Sequence, residues 1–446
     1  MKMPILPPLF LWVRLPTLLA IFWRAHVARS KISGAARKGP SSFIVFRLDA
    51  LGDVVLTTPL FRALKAAHPQ SRCTVVVQRS YKPLLATNPH TDEILVLPNI
   101  RPAWLPQRVQ RLLAAIVFYW TELRERHFDF AISPRWDVDE HLATLLCVMT
   151  NAATRVGYTE RATAAKRRMN RGFDHAYNIC LPAGAVRHEV LRNLAVAEAL
   201  GATACDSTLD ISVTERDRKR AGRLLAKVPG WAKMVALGIG AQSSGRRWPL
   251  ERYADSIRQL GQVHRLWPVI VCSGREFGEA LKLAALLPRP PVIVSGARLR
   301  DVCAVLERCE LFLGNDSGCA HLAAAMNCQA LVISRHPRNG APHHFNSPVR
   351  FAPHGRRVRV LQPEAGSDAC QQACGSPRPH CILQVSVDAV VSAAHQALSK
   401  KQVIATTTAT AKWQDETLQA LLQTHSASAL RAALEAVRTA DARPFA

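Results

Sequence analysis

The sequence predicts an α/β protein of two doubly wound parallel-sheet domains that face one cleft. Short apolar runs bounded by polar turns alternate with helix-length stretches through most of the chain. Two polar loops each follow a strand-like run and open a helix: Arg47-Leu-Asp-Ala-Leu-Gly-Asp53 and Gly314-Asn-Asp-Ser-Gly-Cys-Ala-His321. At 446 residues the chain exceeds one ordinary core, so two domains with appendages are expected.

The first domain is placed at residues 41–228. Strand-like runs fall at 43–46, 73–77, 94–97 and 128–132, with helical stretches at 58–67 and 105–126. Residues 155–158 read as another strand entering a loop, and 188–200 as an amphipathic helix stopped by Gly201. A basic helical stretch at 217–227 ends at Pro229-Gly230, which marks the boundary. The second domain, 229–400, repeats the pattern. Strands are expected at 234–238, 267–272, 291–295, 311–313 and 330–334, with helices starting near 253, 276, 300 and 320. Beyond it, a Thr/Ala-rich stretch and leucines at helical spacing make 401–446 a linker and accessory helix.

Residues 1–40 stand apart. The run to Trp23 is mostly apolar but is broken by Pro4, Pro7, Pro8, Arg14 and Pro16, and Arg24, Arg29, Lys31, Arg37 and Lys38 follow. A spanning helix needs about 20 apolar residues with little charge. This segment reads instead as lying in the membrane interface, its basic part over anionic headgroups. Lys and Arg outnumber Asp and Glu by 58 to 33, a net charge of +25. That favours an anionic membrane surface and a phosphorylated or acidic acceptor. Nucleic acid is not expected: no finger spacing or aromatic RNA-binding strand accompanies the charge, and aromatics are 6% of the chain. Of the twelve cysteines, Cys73, Cys147, Cys180, Cys272 and Cys328 lie in apolar runs, as small buried hydrophobes of a reducing compartment do.

In open α/β sheets ligands bind outside the carboxyl ends of strands, which is where both polar loops lie. Gly314 and Gly318 allow a sharp turn and close approach of a ligand. Ser317 or Asp316 can cap the following helix, whose free N–H groups would face an anion such as a diphosphate. His321 lies one turn into that helix and points to the same end. Asp53 sits where the first helix begins, either as a carboxylate able to take a proton or as a helix cap.

These loops, together with Gly240-Ala-Gln-Ser-Ser-Gly-Arg-Arg-Trp-Pro249, resemble the heptosyltransferase family, glycosyltransferase family 9 of lipopolysaccharide synthesis. The resemblance runs over roughly residues 42 to 395 and implies a GT-B architecture, two Rossmann-like halves around a cleft. It implies an inverting transfer of heptose, from ADP-heptose, to a lipopolysaccharide core or related glycan. It places this at the cytoplasmic face of the inner membrane, with no cofactor beyond the nucleotide-sugar donor. Asp53, in Leu51-Gly52-Asp53, matches the family's general base, with Asp49 a weaker candidate. Arg246 matches the basic residue that holds the donor diphosphate, although many members carry lysine there. Gln242 and Ser243 would contact phosphate. Asp316, Ser317, Gly318 and His321 match the donor-binding Asp-Ser/Thr-Gly-x-x-His pattern. Glu276, with Glu279 as its competitor, would meet the ribose. Arg79, Lys82, Arg135, Arg155 and His188 either meet the acceptor's acidic groups or are solvated surface.

Cys370, Cys374 and Cys381 with His380 offer three thiolates and one imidazole for zinc. Their spacing is not one of the recognised structural-zinc patterns, and no metal ligand is assigned. Two alternatives remain from sequence: a family relative using another sugar nucleotide, and a non-catalytic glycan- or nucleic-acid-binding protein. The amino-terminal reading has a direct consequence. Deleting residues 1–38 should move the protein from the membrane pellet to the supernatant on cell fractionation; unchanged membrane recovery would defeat the interfacial assignment.

Overall fold

The computed structural model describes residues 41–203, 206–366, 370, 376 and 378–399. The expected interfacial segment and the expected accessory helix lie outside them. Among the described residues no helix is long and apolar enough to cross a membrane.

The first sheet contains β1 (Ser42–Phe46), β2 (Arg72–Gln78), β3 (Glu93–Leu97), β4 (Phe130–Ser133), β5 (Thr154–Tyr158) and β6 (Ile179–Leu181). Its order is β3-β2-β1-β4-β5-β6, parallel throughout. The helices between them include α1 (Leu51–Ala67), α2 (Gln107–Phe118) and α3 (Ala143–Met149). Two more follow, α4 (Glu189–Glu198) and α5 (Glu215–Leu224). The second sheet contains β7 (Lys233–Gly238), β8 (Leu266–Cys272), β9 (Val292–Ser295), β10 (Leu311–Asn315), β11 (Gln329–Ile333) and β12 (Val358–Leu361). Its order, β12-β11-β10-β7-β8-β9, is the first sheet's order repeated, and again parallel. Its helices are α6 (Leu250–Gly261), α7 (Phe277–Leu286), α8 (Leu299–Leu306), α9 (Gly318–Ala325) and α10 (Val387–Ser399).

The strands read as continuous apolar runs because both faces are covered by helices. Phe43, Ile44, Val45 and Phe46 of β1 are all buried, as are Leu311, Phe312 and Leu313 of β10. In this strand order the chain reverses direction across the sheet at β1/β4 and again at β7/β10. A crevice opens outside the carboxyl ends at each of these switch points. The expected strands appear with ends shifted by one or two residues. Two edge strands, β6 and β12, were not anticipated. Helix α1 begins at Leu51, two residues before Asp53, where a helix was expected to open, and it runs through the expected 58–67 stretch. Gly201 ends the segment after α4 at φ +93°, as expected of a glycine stop.

The two halves are joined by buried charge as well as apolar contact. Arg350, in the short helix Pro348–Phe351, is fully buried between Glu189 of α4 (3.0 Å) and Asp137 after β4 (3.0 Å). Its guanidinium also lies 4.6 Å from the centroid of the Trp136 ring, whose other close cation is Arg192 at 3.8 Å. Elsewhere α5 is bonded to α8 and the residues around it, through Arg220–Asp301 at 2.8 Å and Arg300–Asp217 at 3.0 Å. Breaking a buried pair strands the remaining charge, which costs more than the pair contributes. Arg350→Ala should therefore destabilise the protein by about 3–5 kcal/mol in urea unfolding. A loss under about 1 kcal/mol would show that Glu189 and Asp137 are not held by this cation.

Candidate active site

Four loops leave the carboxyl ends of the switch-point strands: residues 47–53 after β1, Arg135 and its neighbours after β4, 239–248 after β7, and 316–321 after β10. The expected site residues are carried by the first, third and fourth of these, with Glu276 from the turn after β8.

The first loop is held by charge. Arg47 is fully buried and bonds Asp49 at 3.2 Å; its Nε donates to the Asp53 carbonyl at 3.2 Å. Arg135 reaches over from β4 and lies 3.4 Å from both Asp49 and Asp53. The backbone of Arg135 is fixed in turn by Lys166, buried at the start of a neighbouring short helix. The Lys166 ammonium donates to the carbonyls of Arg135, Trp136 and Tyr158 at 3.0–3.1 Å. Burial pulls Lys166 down to about 8. Lys166 was not anticipated; its pattern in sequence, Lys166-Arg-Arg168, is that of a solvated basic turn.

Asp53 is not the N-cap residue. Ala50 holds that position and Asp53 is at N3, accepting from the Ala50 N–H at 3.2 Å in a capping-box arrangement. Its carboxylate is 8% exposed in residue terms. Burial raises its pKa above the ordinary value, and the Arg135 and Arg47 cations offset only part of that. For Asp49 the balance falls the other way. Burial is the largest effect, but Arg135, Arg47 and His141 together hold its carboxyl below the usual range. Two aspartates four residues apart are thus separated in proton affinity, and Asp53 is the better proton acceptor of the two.

In the second half, Arg246 donates to both the backbone carbonyl and the carboxylate of Asp316, at 2.8 and 3.0 Å. Asp316 is therefore not a cap for α9. Ser317 occupies the N-cap position without a side-chain cap bond, so the first N–H groups of α9 are left available. Asn315, fully buried at the end of β10, ties the two loops together. Its side chain accepts from the Trp248 N–H at 2.9 Å and the Tyr253 hydroxyl at 3.1 Å, and donates to the Ile239 carbonyl at 2.7 Å. A polar residue closing the apolar run Leu311-Phe-Leu-Gly was the signal that could have identified it. Gln242 is exposed on the loop, and Ser243 precedes the turn Ser244–Arg246, accepting from the Arg246 N–H at 3.1 Å.

Glu276 and Glu279 part company. Glu276 caps its own turn through the Ser273 N–H and hydroxyl, both 2.9 Å, and its carboxylate lies over Gly240. A methyl group added to Gly240 would collide with the Glu276 carboxylate. Glu279 pairs with Lys282 on the exposed face of α7. Of the first-domain cations, Arg79 and Lys82 are exposed. Arg155 is buried, donating to the carbonyls of Ala176 and Ala152. His188 is the N-cap of α4 and donates to the Ala352 carbonyl at 2.8 Å across the two halves. Neither Arg155 nor His188 is placed to greet an acceptor at the surface.

The two motifs meet. The His321 imidazole packs on Gly52, where a methyl group would lie 2.7 Å from its Nε2. Leu51 packs on Gly318, where a methyl group would be 2.7 Å from its side chain. Burial, with His188 and Arg246 nearby, lowers His321 to about 3, so the imidazole is neutral. His321 Nδ1 is buried without a hydrogen-bond partner among the described residues. The amino ends of α1 and α9 therefore face each other, bringing the Asp53-bearing turn of one half against the 316–321 turn of the other. Cys370, His380 and Cys381 gather outside this centre, and Cys374 lies outside the described residues.

Two parallel sheets of this order, with their switch points turned toward one shared cleft, define the GT-B class. Residues 117–337 match the model of glycosyltransferase family 9 (heptosyltransferase). The lipopolysaccharide core heptosyltransferase OpsX of Haemophilus influenzae is 21% identical over 330 residues, 73% of this chain and 85% of that protein. Lipopolysaccharide heptosyltransferase 3 of Escherichia coli is 24% identical over 289 residues, 63% of this chain and 79% of that one. The fold is shared with a family 9 glycosyltransferase from Veillonella parvula, at TM-score 0.65 and 20% identity over 82% of this chain and 99% of that structure. It is also shared with E. coli heptosyltransferase WaaC with ADP, at TM-score 0.59 and 16% identity over 80% and 99%. Residues 117–337 form a glycosyltransferase family 9 domain and the chain is a glycosyltransferase, which sets aside the non-catalytic alternative.

The charge arrangement around Asp53 fixes the sign of one pH effect. A base must be ionised, so transfer should rise as pH climbs through the pKa of Asp53. Arg135→Gln removes the larger of the two attractions opposing burial. The pKa of Asp53 should then climb further, and the acid limb of the kcat/KM profile should move to higher pH. An acid limb that stays in place or moves down would separate Arg135 from the ionisation of Asp53.

Proposed function

We propose that this chain transfers heptose from ADP-heptose, with inversion, to a lipopolysaccharide core intermediate or a related acidic glycan. The observation that carries the reading is the contact of the Asp53-bearing turn with the 316–321 turn. Asp53 accepts the proton of the acceptor hydroxyl as its oxygen bonds to the anomeric carbon from one side. The bond from that carbon to the diphosphate oxygen breaks on the other side, which inverts the configuration. The departing nucleoside diphosphate takes up negative charge, stabilised by Arg246, the free N–H groups of α9 and a hydrogen bond donated by the N–H of neutral His321.

Arg246 is held in place by Asp316 until the donor arrives. A diphosphate can then share the guanidinium, which grips phosphate through two parallel N–H groups as lysine cannot. The Asp316 carboxylate is raised by burial, with Arg246 offsetting part of the rise. It suits hydrogen bonding to sugar hydroxyls better than contact with phosphate, which its charge would repel. Glu276, over Gly240, is placed for the ribose hydroxyls. Gln242, Ser243, Ser317 and Gly318 line the phosphate path. The proposed heptose donor is supported by the heptosyltransferase names of the relatives. ADP is supported by the name of the E. coli structure that shares the fold. The proposed seat is the inner face of the inner membrane, with residues 1–40 as the interfacial contact.

A panel of nucleotide sugars, assayed for nucleoside diphosphate release with and without lipopolysaccharide acceptor, tests the reading. ADP-heptose should be used best, and a clear preference for another sugar nucleotide would redirect the donor assignment within the family. Asp53→Asn should fold and bind donor but lose turnover by roughly 10²–10⁴-fold. Turnover within about threefold of the parent would remove Asp53 as the base.

A further inference from the structure

We propose that Cys370, His380 and Cys381 form a zinc site that clamps the chain segment lying behind the Arg246 turn. The two sulfurs and the imidazole nitrogen that would bind lie within 4.8 Å of one another. Cys381 Sγ is 3.1 Å from His380 Nδ1, and Cys370 Sγ is 3.8 Å from the same nitrogen. Zinc bonds of about 2.0–2.1 Å to nitrogen and 2.3 Å to sulfur, at tetrahedral angles, separate such ligands by roughly 3.6 Å. The two observed separations bracket that value; Cys370 Sγ lies equally 3.8 Å from Nε2, so one ion fits once the surface His380 ring turns to aim one nitrogen at both sulfurs. A thiol–imidazole hydrogen bond would account for the Cys381–His380 pair but not for the arrival of Cys370 at the same ring. Both cysteines are buried, while His380 lies at the surface and gives the ion a route in. Two thiolates and an imidazole suit zinc and are a poor donor set for magnesium or calcium. The fourth tetrahedral position takes a water molecule or one further side chain.

The site has a purpose in this fold. The described residues beside it form a backing for the donor loop at two places. Gly245, next to Arg246, runs so close to them that a methyl group there would lie 2.5 Å from the Ser376 carbonyl and 3.3 Å from that of Arg378. Just past Cys381, the Val385 carbonyl accepts from the Trp248 indole at 3.0 Å and from Arg252 at 3.0 Å. An ion bridging Cys370 to His380 and Cys381 ties these three residues to one point beside Ser376 and Arg378. It thereby fixes the surface on which the turn Ser244–Arg246 rests. The metal supports the turn and takes no part in glycosyl transfer.

The test uses the full-length chain purified from cells grown with zinc. Elemental analysis should find about one zinc per chain, and His380→Ala and Cys381→Ser should each lower it below about 0.2. Cobalt substitution should give thiolate-to-metal charge-transfer absorption that Cys381→Ser weakens. Removal of zinc by chelation should lower Tm by about 2 °C or more and raise KM for the nucleotide sugar roughly threefold or more. Zinc below about 0.1 per chain in folded, monodisperse wild type overturns the site, as does unchanged zinc in both variants. Iron in place of zinc overturns the choice of ion, and an unmoved KM overturns the clamping role. Metal content is read without any sugar nucleotide. Failure to use ADP-heptose would therefore count against the proposed function and leave this inference standing.

Discussion

The arrangement depends on one close contact, the packing of the amino end of α1 on the amino end of α9. His321 lies on Gly52 and Leu51 on Gly318, with no room for a β-carbon at either glycine. Both helices start where their sheets reverse direction, so the contact sets two switch-point crevices against each other. Burial follows from it, and burial makes His321 a neutral imidazole and lifts the proton affinity of Asp53. The chemistry of the cleft is in this sense a consequence of two missing side chains.

Charges taken out of water at such a contact need partners, because an uncompensated buried ion costs several kcal/mol. Each one here is met. Arg47 and Arg135 answer Asp49 and Asp53; Arg246 answers Asp316; Arg350 answers Glu189 and Asp137. The pairs divide the labour. Arg350 joins the two halves through Glu189 and Asp137, Arg135 opposes the burial that raises Asp53, and Arg246 is paired with Asp316. The excess positive charge of the chain is a separate matter, carried in part by exposed residues such as Arg79 and Lys82.

Loops at a sheet's carboxyl edge have few apolar contacts, so what holds them decides how well a site is preorganised. In the first half that support is polar and internal: Lys166 donates to three carbonyls beneath Arg135. In the second half Asn315 binds the Arg246 loop from below, and the segment around Ser376 and Arg378 backs it from behind. The Arg246 loop is thus held by groups from two separate stretches of chain, Asn315–Asp316 and the residues around Ser376 and Arg378.

By itself the sequence determined the alternation of strands and helices, the two glycine- and aspartate-bearing loops, and the family they belong to. These are local properties: an apolar run between turn residues reads as a strand wherever it packs, and glycine is required where backbones crowd. It did not disclose the edge strands β6, only three residues long, and β12, four residues interrupted by Arg359. Nor did it disclose that Ala50 and not Asp53 is the N-cap of α1, since Ala50 has no side chain to announce a cap. The tertiary structure alone decided which aspartate would hold its proton more tightly. It decided that Arg135 would serve Asp53 from 82 positions away, that Glu276 and not Glu279 would face Gly240, and that Arg155 and His188 would turn inward. Proton affinity and ion pairing depend on what surrounds a group in space, and sequence spacing carries no information about neighbours contributed by a different strand.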